Sequence, residues 1–347
     1  MTKRATTAVI VAGLVAAMAL LAAGCGSGGD DVAATTETTA ANPVKVGLIT
    51  DLGQLNDNGF NELAYNGLKR AERELGVEGR VVESASAADY VPNMATLARQ
   101  GYDLIIGVGY AQGDAIAKAA KKYPETKFAI VDVDQATLKG TPANVQGLLF
   151  REQQVGYLVG YLAALEAKRA GGNQVSAVGG FKEPPVDRYI AGYRAGAEAA
   201  VPGTVVKWGY SLDWEDQAKC KELALNQIAA GSKVVFQVAG GCGLGALLAA
   251  KQRKAWGIGV DADQSFLGTH VLTSALKGVD SAVFLTAKAT QDGTFKGGGN
   301  AEFGLDQEGV GLGMFSPKAN KADIAATKKI EQQIADGTIT GIPTALS

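Results

Sequence analysis

Residues 44–68, VKVGLITDLGQLNDNGFNELAYNGL, pass from an apolar segment through a polar turn into a segment with helical periodicity. The segment VKVGLIT (44–50) is rich in Val, Leu and Ile and lacks polar alternation, which is typical of a strand buried on both faces. After the turn, apolar or small residues recur three or four positions apart: Leu63, Gly67, Leu68, Ala71 and Leu75. The stretch therefore predicts a buried strand followed by a helix.

The same rhythm repeats along the chain. Further apolar runs without polar alternation are DLIIGVG (103–109), KFAIVDV (127–133), NQVSAVGG (173–180), SKVVFQVAG (232–240) and AWGIGVD (255–261). Segments with helical spacing lie between these runs. Strands that alternate with helices imply right-handed crossovers and parallel sheets. We therefore predict an α/β fold made of doubly wound parallel-sheet lobes.

The length of the chain favours two such lobes. Residues from about 43 to 347, which remain after the amino-terminal segment, are too many for one ordinary domain. The first four strand–helix units end near Phe150, and a second series begins with the helix that follows. We predict one lobe from residues 43–150 together with about 270–300, and another from 151–269 together with about 301–347.

The amino-terminal segment has the features of an export signal. Residues 1–24 contain Lys3 and Arg4 followed by an apolar core and small residues, which is typical of a secretory signal peptide. The stretch LAAGC resembles a lipobox, with Cys25 as the lipidated residue; ordinary secretion is the alternative. Residues 25–42 have few bulky apolar side chains and predict a flexible tether. We expect a lipid-anchored protein on the extracytoplasmic face of the cell membrane.

Composition excludes several classes of function. With 33 Lys and Arg against 35 Asp and Glu, the net charge of −2 gives no electrostatic case for binding nucleic acid. The single histidine, His270, excludes a multi-histidine metal site, and the chain has no GxSxG nucleophile motif. We expect no metal ion, no cofactor and no catalytic residue.

Two cysteines remain besides Cys25. Cys220 and Cys242 do not have the CxxC spacing of a metal site. An exported protein permits a disulfide, but the sequence does not give the distance between the two α-carbons. A disulfide and a pair of buried free thiols both stay open.

Polar and aromatic residues follow the predicted strands. Because ligands bind outside the carboxyl ends of the strands in open parallel sheets, these positions predict a binding site. They are Asp51, Asp57, Phe60 and Asn61 after the first strand, Asp132, Trp214, Asp216, the pair Gly240 and Gly241, and Asp261. Structural roles are the alternative, since acids before helices are usually caps and a lone aromatic is often core.

Seven segments, taken in order, resemble the basic membrane protein family of ABC-transporter solute-binding lipoproteins. They are TDLGQLNDNGFNELAYNGL (50–68), FREQQVGYLVGYLAA (150–164), VGGFKEPPVDRYIAGYRAG (178–196), DWEDQAKCKELA (213–224), VVFQVAGGCGLG (234–245), IGVDADQ (258–264) and VLTSALKGVD (271–280). The chain is most similar to the purine nucleoside receptors of that family. The resemblance implies a type I periplasmic-binding fold, in which two α/β lobes joined by hinge crossovers close over a ligand.

The resemblance also implies residue roles at the aromatic end of the ligand. Phe60 would stack on one face of a purine and Trp214 would cover the other. Asn61 would hydrogen-bond the edge of the base, because an amide both donates and accepts. Asp51 would be a further polar contact, and Asp132 matches the family pattern less specifically.

At the sugar end, the resemblance assigns the ribose hydroxyls to Asp261 and Lys277. A carboxylate accepts from two hydroxyl donors, and a lysine beside it offsets the cost of burying its charge. Gly240 and Gly241 would let the backbone approach the sugar.

The implied function is delivery of a purine nucleoside, such as adenosine, guanosine or inosine, to an ABC permease by a monomeric lipoprotein. A receptor or sensor for another small metabolite, such as a sugar, is the alternative on the same fold. A nucleoside hydrolase is a weaker alternative, for which the scattered Asp51, Asp132 and Asp261 would have to form a calcium site.

Overall fold

The computed structural model describes residues 42–346. The predicted signal peptide, the lipidation site Cys25 and the tether up to residue 41 lie outside the described residues. Within residues 42–346, no helix has the length and the hydropathy needed to cross a membrane.

The described residues form strands and helices in alternation. The strands are β1 (Lys45–Ile49), β2 (Glu78–Val82), β3 (Leu104–Gly107), β4 (Lys127–Val131), β5 (Val145–Phe150), β6 (Gln174–Gly179), β7 (Val205–Tyr210), β8 (Val234–Val238), β9 (Trp256–Asp261), β10 (Val271–Lys277), β11 (Gly299–Phe303) and β12 (Val310–Leu312). The helices are α1 (Phe60–Leu75), α2 (Tyr90–Arg99), α3 (Gly113–Lys122), α4 (Glu152–Arg169), α5 (Pro184–Ala200), α6 (Gln217–Ala229), α7 (Gly243–Arg253), α8 (Val279–Gln291) and α9 (Lys321–Ala335). This alternation confirms the predicted α/β class.

Lobe 1 is built on a six-stranded sheet with the order β11-β5-β4-β3-β1-β2. All of its strand pairs are parallel. The central strands are apolar on both faces because helices cover both sides of the sheet, and Val46, Leu48 and Ile106 are fully buried. The edge strand β2 is more exposed and more polar, so it did not stand out as an apolar run.

Lobe 2 repeats this plan with the order β12-β10-β9-β8-β6-β7. Its strands are parallel except for the short edge strand β12, which pairs antiparallel with β10. Two doubly wound lobes are the architecture that the repeated strand–helix rhythm predicted.

The division of the carboxyl-terminal part between the lobes differs from our expectation. We placed residues from about 270 in lobe 1, but β10 pairs with β9 in lobe 2. We placed residues from about 301 in lobe 2, but β11 pairs with β5 in lobe 1. The chain passes from one lobe to the other only after each strand ends. In addition, β11 and β12 are short edge strands, and their sequences lack the continuous apolar residues that identify a buried strand.

Three crossovers connect the lobes, at residues 150–152, 277–279 and 303–310. They are held together side by side, since Arg151 N donates to Phe303 O (2.9 Å) and Gly278 N donates to Gly309 O (2.8 Å). The rings of Phe150 and Phe303 stack with centroids 5.2 Å apart. The crossovers therefore form one compact hinge.

Helices α4 and α5 approach each other through glycines. A Cβ at Gly160 would collide with the carbonyl of Tyr193, and a Cβ at Gly192 would collide with the carbonyl of Gln153. The close contact fixes α5 against α4, which starts at the hinge. The amino-terminal end of α5 is thereby held at the opening between the lobes.

Candidate functional site

A cavity of about 230 Å³ lies between the carboxyl ends of the two sheets. Its size suits a small metabolite. All nine predicted binding residues line it: Asp51, Phe60, Asn61, Asp132, Trp214, Gly240, Gly241, Asp261 and Lys277. The structure therefore brings together residues from both lobes that are up to 226 positions apart in the sequence.

Each lobe contributes one of the two predicted aromatic residues to the cavity, which Tyr110 and Tyr189 also line. Phe60 is the first residue of α1 in lobe 1, and Trp214 lies in lobe 2 between β7 and α6. Both are only partly buried, although each also packs against the core. The ring of Phe181 supports Trp214, with the centroids 5.4 Å apart. Both rings therefore keep apolar surface on the cavity.

Asp57 stabilises the start of α1, where Phe60 is the first residue. Its carboxylate accepts hydrogen bonds from the backbone N–H groups of Gly59 (2.9 Å), Asn61 (2.9 Å) and Glu62 (3.2 Å). These are free N–H groups at the start of α1, so Asp57 has the cap role that was one of its two interpretations. Asp216 likewise caps α6 by accepting from Ala218 N at 2.9 Å.

Asn61 is nearly buried, with 2% of its surface exposed. Its Oδ1 accepts from Asp51 N at 3.1 Å, which fixes the orientation of the amide because an N–H must meet the oxygen. Its Nδ2 donates no hydrogen bond to the described residues and lines the cavity. Asn61 therefore offers an N–H donor to a ligand.

Asp51 is not a helix cap. Its Oδ1 accepts from Tyr90 Oη at 2.6 Å and from Leu52 N at 2.7 Å. Burial raises the pKa of Asp51, these hydrogen bonds oppose the rise, and the nearby Asp132 adds to it. Asp51 is a desolvated acceptor at the edge of the cavity.

Lys277 lies at the centre of a buried ion-pair network. Its Nζ is 2.6 Å from Asp132 Oδ1 and 3.0 Å from Glu152 Oε1. Burial by itself would lower the pKa of Lys277, but Asp132 and Glu152 outweigh that effect and raise the pKa above its usual value. Lys277 ends β10 and Glu152 begins α4, so the network connects lobe 1 with two crossovers.

Asp261 occupies the position in lobe 2 that Asp132 occupies in lobe 1. Each follows an apolar strand segment and has a positive φ, 62° for Asp261 and 72° for Asp132, which Asp tolerates better than most residues. Tyr189 Oη donates to Asp261 Oδ1 at 3.4 Å. Burial raises the pKa of Asp261 to about 7, Lys277 opposes the rise, and Asp132 adds to it.

Lys277 was expected to offset the cost of burying the charge of Asp261, and its positive charge does oppose the rise in the pKa of Asp261. The ion pairs of Lys277 within the described residues go to Asp132 and Glu152. These ion pairs form because Lys277 is the last residue of β10 and lies at the hinge. At this position its side chain contacts Asp132 of lobe 1.

Gly240 and Gly241 form a short turn beside Trp214. Gly240 has a φ of +54°, and Cys242 N donates to Trp214 O at 2.8 Å. Cys242 is disulfide-bonded to Cys220 of α6, with the α-carbons 5.6 Å apart. The disulfide answers the question that the sequence left open, and it fastens the loop that carries Trp214.

Sequence reasoning missed three polar residues of the site. Glu183 and Tyr189 line the cavity from the start of α5, and Glu152 lies behind it in the ion-pair network. A signal for Tyr189 and Glu183 was present, because both lie in the quoted segment 178–196. Among the described residues that line the cavity, six are acidic and Lys277 is the basic one.

The described residues contain no group of three or more His, Cys, Asp or Glu arranged to hold a metal ion. Two α/β lobes, a hinge of three crossovers and a ligand-sized cavity between strand ends together define a two-lobed solute-binding protein. The model of the family described as "ABC transporter substrate-binding protein PnrA-like" matches residues 44–341. The chain belongs to this family of substrate-binding proteins, which is the Bmp family.

Relatives and solved structures agree with this assignment. The chain is 35% identical to the CD4+ T-cell-stimulating antigen of Listeria innocua, over 97% of this chain and 98% of that protein. It is 32% identical to the ABC transporter nucleoside-binding protein BmpA of Lactococcus lactis, over 96% and 97% of the two chains. A crystal structure of an ABC transporter solute-binding protein from Aeropyrum pernix matches with a TM-score of 0.77 and 28% identity, over 87% and 94% of the two chains.

Proposed function

We propose that the protein binds a purine nucleoside in the cleft between its lobes and delivers it to an ABC permease. The observation that carries the proposal is that each lobe provides one of the predicted stacking rings, Phe60 or Trp214, each partly exposed, to a cavity that polar side chains also line. A flat heteroaromatic base between two rings gains apolar burial and a stacking term of roughly 0.5–1.5 kcal/mol for each pair. The nucleoside-binding relative from Lactococcus lactis supports the same ligand class.

The polar residues divide between the two parts of the ligand. Asn61 donates to the edge of the base, with Asp51 behind it. Asp261 accepts from ribose hydroxyls, and Lys277 donates to a ribose oxygen while it neutralises Asp132. Gly240 and Gly241 leave room for the sugar beside Trp214.

The charge of the cavity favours a nucleoside over a nucleotide. Six acidic residues and one lysine line it among the described residues, and the lysine is already paired with two carboxylates. A phosphate would enter a negative field without an available cation, whereas hydroxyl and N–H groups are donors that carboxylates accept.

The place of action follows from the amino-terminal segment. We propose that lipidation at Cys25 anchors the protein at the outer face of the membrane, with residues 25–42 as a tether, and that the permease receives the ligand there. Labelling with a fatty-acid analogue tests the anchor, since Cys25→Ala should abolish the label and release the protein from the membrane.

Calorimetry tests the ligand class. Protein freed of ligand by denaturation and refolding is titrated with guanosine, inosine, adenosine, hypoxanthine, ribose and AMP. We expect binding of one nucleoside per protein, much weaker binding of base or sugar alone, and no tight binding of AMP. Tight binding of ribose or AMP without nucleoside binding would contradict the proposal, and release of hypoxanthine from inosine would indicate a hydrolase instead.

A further inference from the structure

Glu183 is a cavity residue without a partner in the described chain. It directly precedes α5 in lobe 2, and its carboxylate neither caps the helix nor forms an ion pair or hydrogen bond with the described residues. Glu183 is partly buried, and a ligand that fills the cavity would remove its carboxylate further from water, which costs free energy unless the ligand pairs with it. The missing partner is therefore expected among the ligands of the cavity.

The surroundings of Glu183 favour a ligand that donates hydrogen bonds. Burial raises the pKa of Glu183 to about 7, Asp51 and Asp132 add to the rise, and Lys277 opposes it. Lys277 is held by Asp132 and Glu152, so it does not neutralise Glu183. Donor groups on a ligand would remove this electrostatic cost.

Asn61 of lobe 1 provides a second, independent feature of the same cavity. It is 2% exposed, and its Nδ2 has no hydrogen-bond partner among the described residues. Asn61 therefore presents a donor, and Glu183 presents two acceptor oxygens. Both residues, like Asp51, line the cavity that holds the base under the proposed function.

The donor of Asn61 and the acceptor oxygens of Glu183 match guanine better than adenine or hypoxanthine. Guanine presents the acceptors N7 and O6 beside the donors N1–H and the 2-amino group, so an amide donor and an ionised carboxylate satisfy one continuous edge. Adenine has an acceptor at N1, which would face the lone pairs of the carboxylate. Hypoxanthine keeps N1–H but lacks the 2-amino group.

We propose that Glu183 makes the cleft selective for guanosine over adenosine by accepting N1–H and the 2-amino group of guanine. The inference rests on the proposed function, because it concerns the base of a nucleoside bound in the same cavity. Inosine is the intermediate ligand.

Protonation changes the hydrogen-bonding pattern that Glu183 presents to the base. A protonated carboxyl group has one donor and one acceptor, which match N1 and the 6-amino group of adenine. The ratio of guanosine affinity to adenosine affinity therefore rises between pH 6 and pH 8.5. Burial raises the pKa of Asp261 into the same range, but under the proposed function Asp261 faces the ribose, which both nucleosides share. Burial also raises the pKa of Asp51 on the base side of the cavity, so the comparison with E183Q is what assigns the pH dependence to Glu183.

Calorimetry with guanosine, inosine and adenosine tests the inference on three proteins: the wild type, Glu183→Gln and Glu222→Gln. The amide introduced by E183Q has the donor and acceptor pattern of the protonated acid, so this variant should reduce the guanosine preference by roughly fivefold or more and make it independent of pH. Glu222 is exposed on α6 and outside the cavity, so E222Q should keep the wild-type ratio and its pH dependence.

A measurement on the wild type alone keeps the inference testable if E183Q does not fold. 1-Methylguanosine lacks N1–H and should bind far more weakly than guanosine. Equal binding of the two, or an unchanged guanosine-to-adenosine ratio in E183Q, would overturn the role of Glu183 while leaving the proposed function intact. Absence of binding of all three nucleosides to the wild type would overturn both.

Discussion

At the residue scale, the cleft is dominated by carboxylates that the protein does not neutralise. Lys277 pairs with Asp132 and Glu152, whereas burial raises the pKa values of Asp261 and Glu183 to about 7. Each of these raised pKa values results first from burial of the carboxylate, with neighbouring acidic groups adding to the rise and Lys277 opposing it. Hydroxyl and N–H groups of a ligand would stabilise the ionised carboxylates.

The two aromatic residues give the first prediction. Phe60→Ala and Trp214→Ala, made singly, should each weaken nucleoside binding by roughly 1–3 kcal/mol, the range for base–aromatic stacking. Both side chains are partly exposed, so the free energy of unfolding should fall by much less than the roughly 3–5 kcal/mol of a deleted core aromatic. Calorimetry and thermal unfolding measure the two effects.

Phe128→Ala is the matched control, because Phe128 is fully buried in β4. It should lower the stability strongly without removing a contact to the ligand. If F60A or W214A behaves like F128A and binds nucleoside with wild-type affinity, that aromatic is a core residue.

Asp261 gives a prediction about pH. Its pKa is about 7 in the folded protein, against the ordinary value of 3.8, so the folded state holds a proton that the unfolded state releases between these values. Stability therefore falls as the pH rises through this window. Asp261→Asn should raise the stability of the ligand-free protein at pH 8 by roughly 1–3 kcal/mol, since Asn has the same shape and also tolerates a positive φ.

The stability gain should shrink as the pH is lowered from 8 to 5, which thermal unfolding at both pH values will show. Asp114→Asn on the exposed start of α3 is the control and should show no such pH-dependent gain. A D261N protein that is less stable than the wild type at pH 8 would contradict the account of a desolvated, underpaired carboxylate.

The residues of the site were predictable where they follow a strand or lie in a recognisable segment. Asp132 and Asp261 occur in the related segments VDVDQ (131–135) and VDADQ (260–264), which occupy equivalent places in the two lobes. The partner of Lys277 was not predictable, because Asp132 is 145 positions away and the contact depends on the course of the hinge.

At the element scale, buried strands were predictable because both of their faces are apolar, whereas edge strands were not. β11 and β12 are short and partly exposed, and each pairs on one side with a strand remote in the sequence. The boundary between the lobes lies among these strands. The predicted boundary was displaced partly for that reason, and the buried strand β10, which pairs with β9 in lobe 2, was also assigned to the wrong lobe.

The disulfide gives the prediction at this scale. It connects α6 to the turn at Gly240 and closes a segment of 22 residues, so its loss should lower the stability by about 3 kcal/mol. Because Cys242 N also holds Trp214 O, the double variant C220A/C242A should bind nucleoside more weakly. Thermal unfolding with and without reductant measures the effect.

The double variant is also the control for the reductant, which should leave it unchanged. Reaction of Cys220 and Cys242 with a thiol reagent in the unfolded, unreduced protein would show that the bond is absent. A melting temperature that does not respond to reductant would show that the bond has no role in stability.

At the scale of the whole molecule, the two lobes are in contact on both sides of the cavity. The hinge lies on one side, and on the other Gln264 Nε2 of lobe 2 donates to Asn58 O of lobe 1 at 3.3 Å. The cavity is therefore lined by elements of both lobes. A ligand that touches both lobes favours a closed arrangement by its higher affinity for it.

Small-angle X-ray scattering tests hinge closure. The radius of gyration should decrease when guanosine is added to ligand-free protein, because the ligand bridges Phe60 in lobe 1 and Trp214 in lobe 2. W214A at the same guanosine concentration is the control and should contract less. An unchanged radius at saturating ligand would mean that the lobes do not move.

The central claim is that a purine nucleoside binds between the lobes with its base between two aromatic rings. A crystal structure of the protein grown with guanosine measures this directly. We predict guanine between Phe60 and Trp214, with its N1–H edge toward Glu183 and its ribose hydroxyls on Asp261. A nucleoside outside the cleft, or a base that contacts neither ring, would contradict the account.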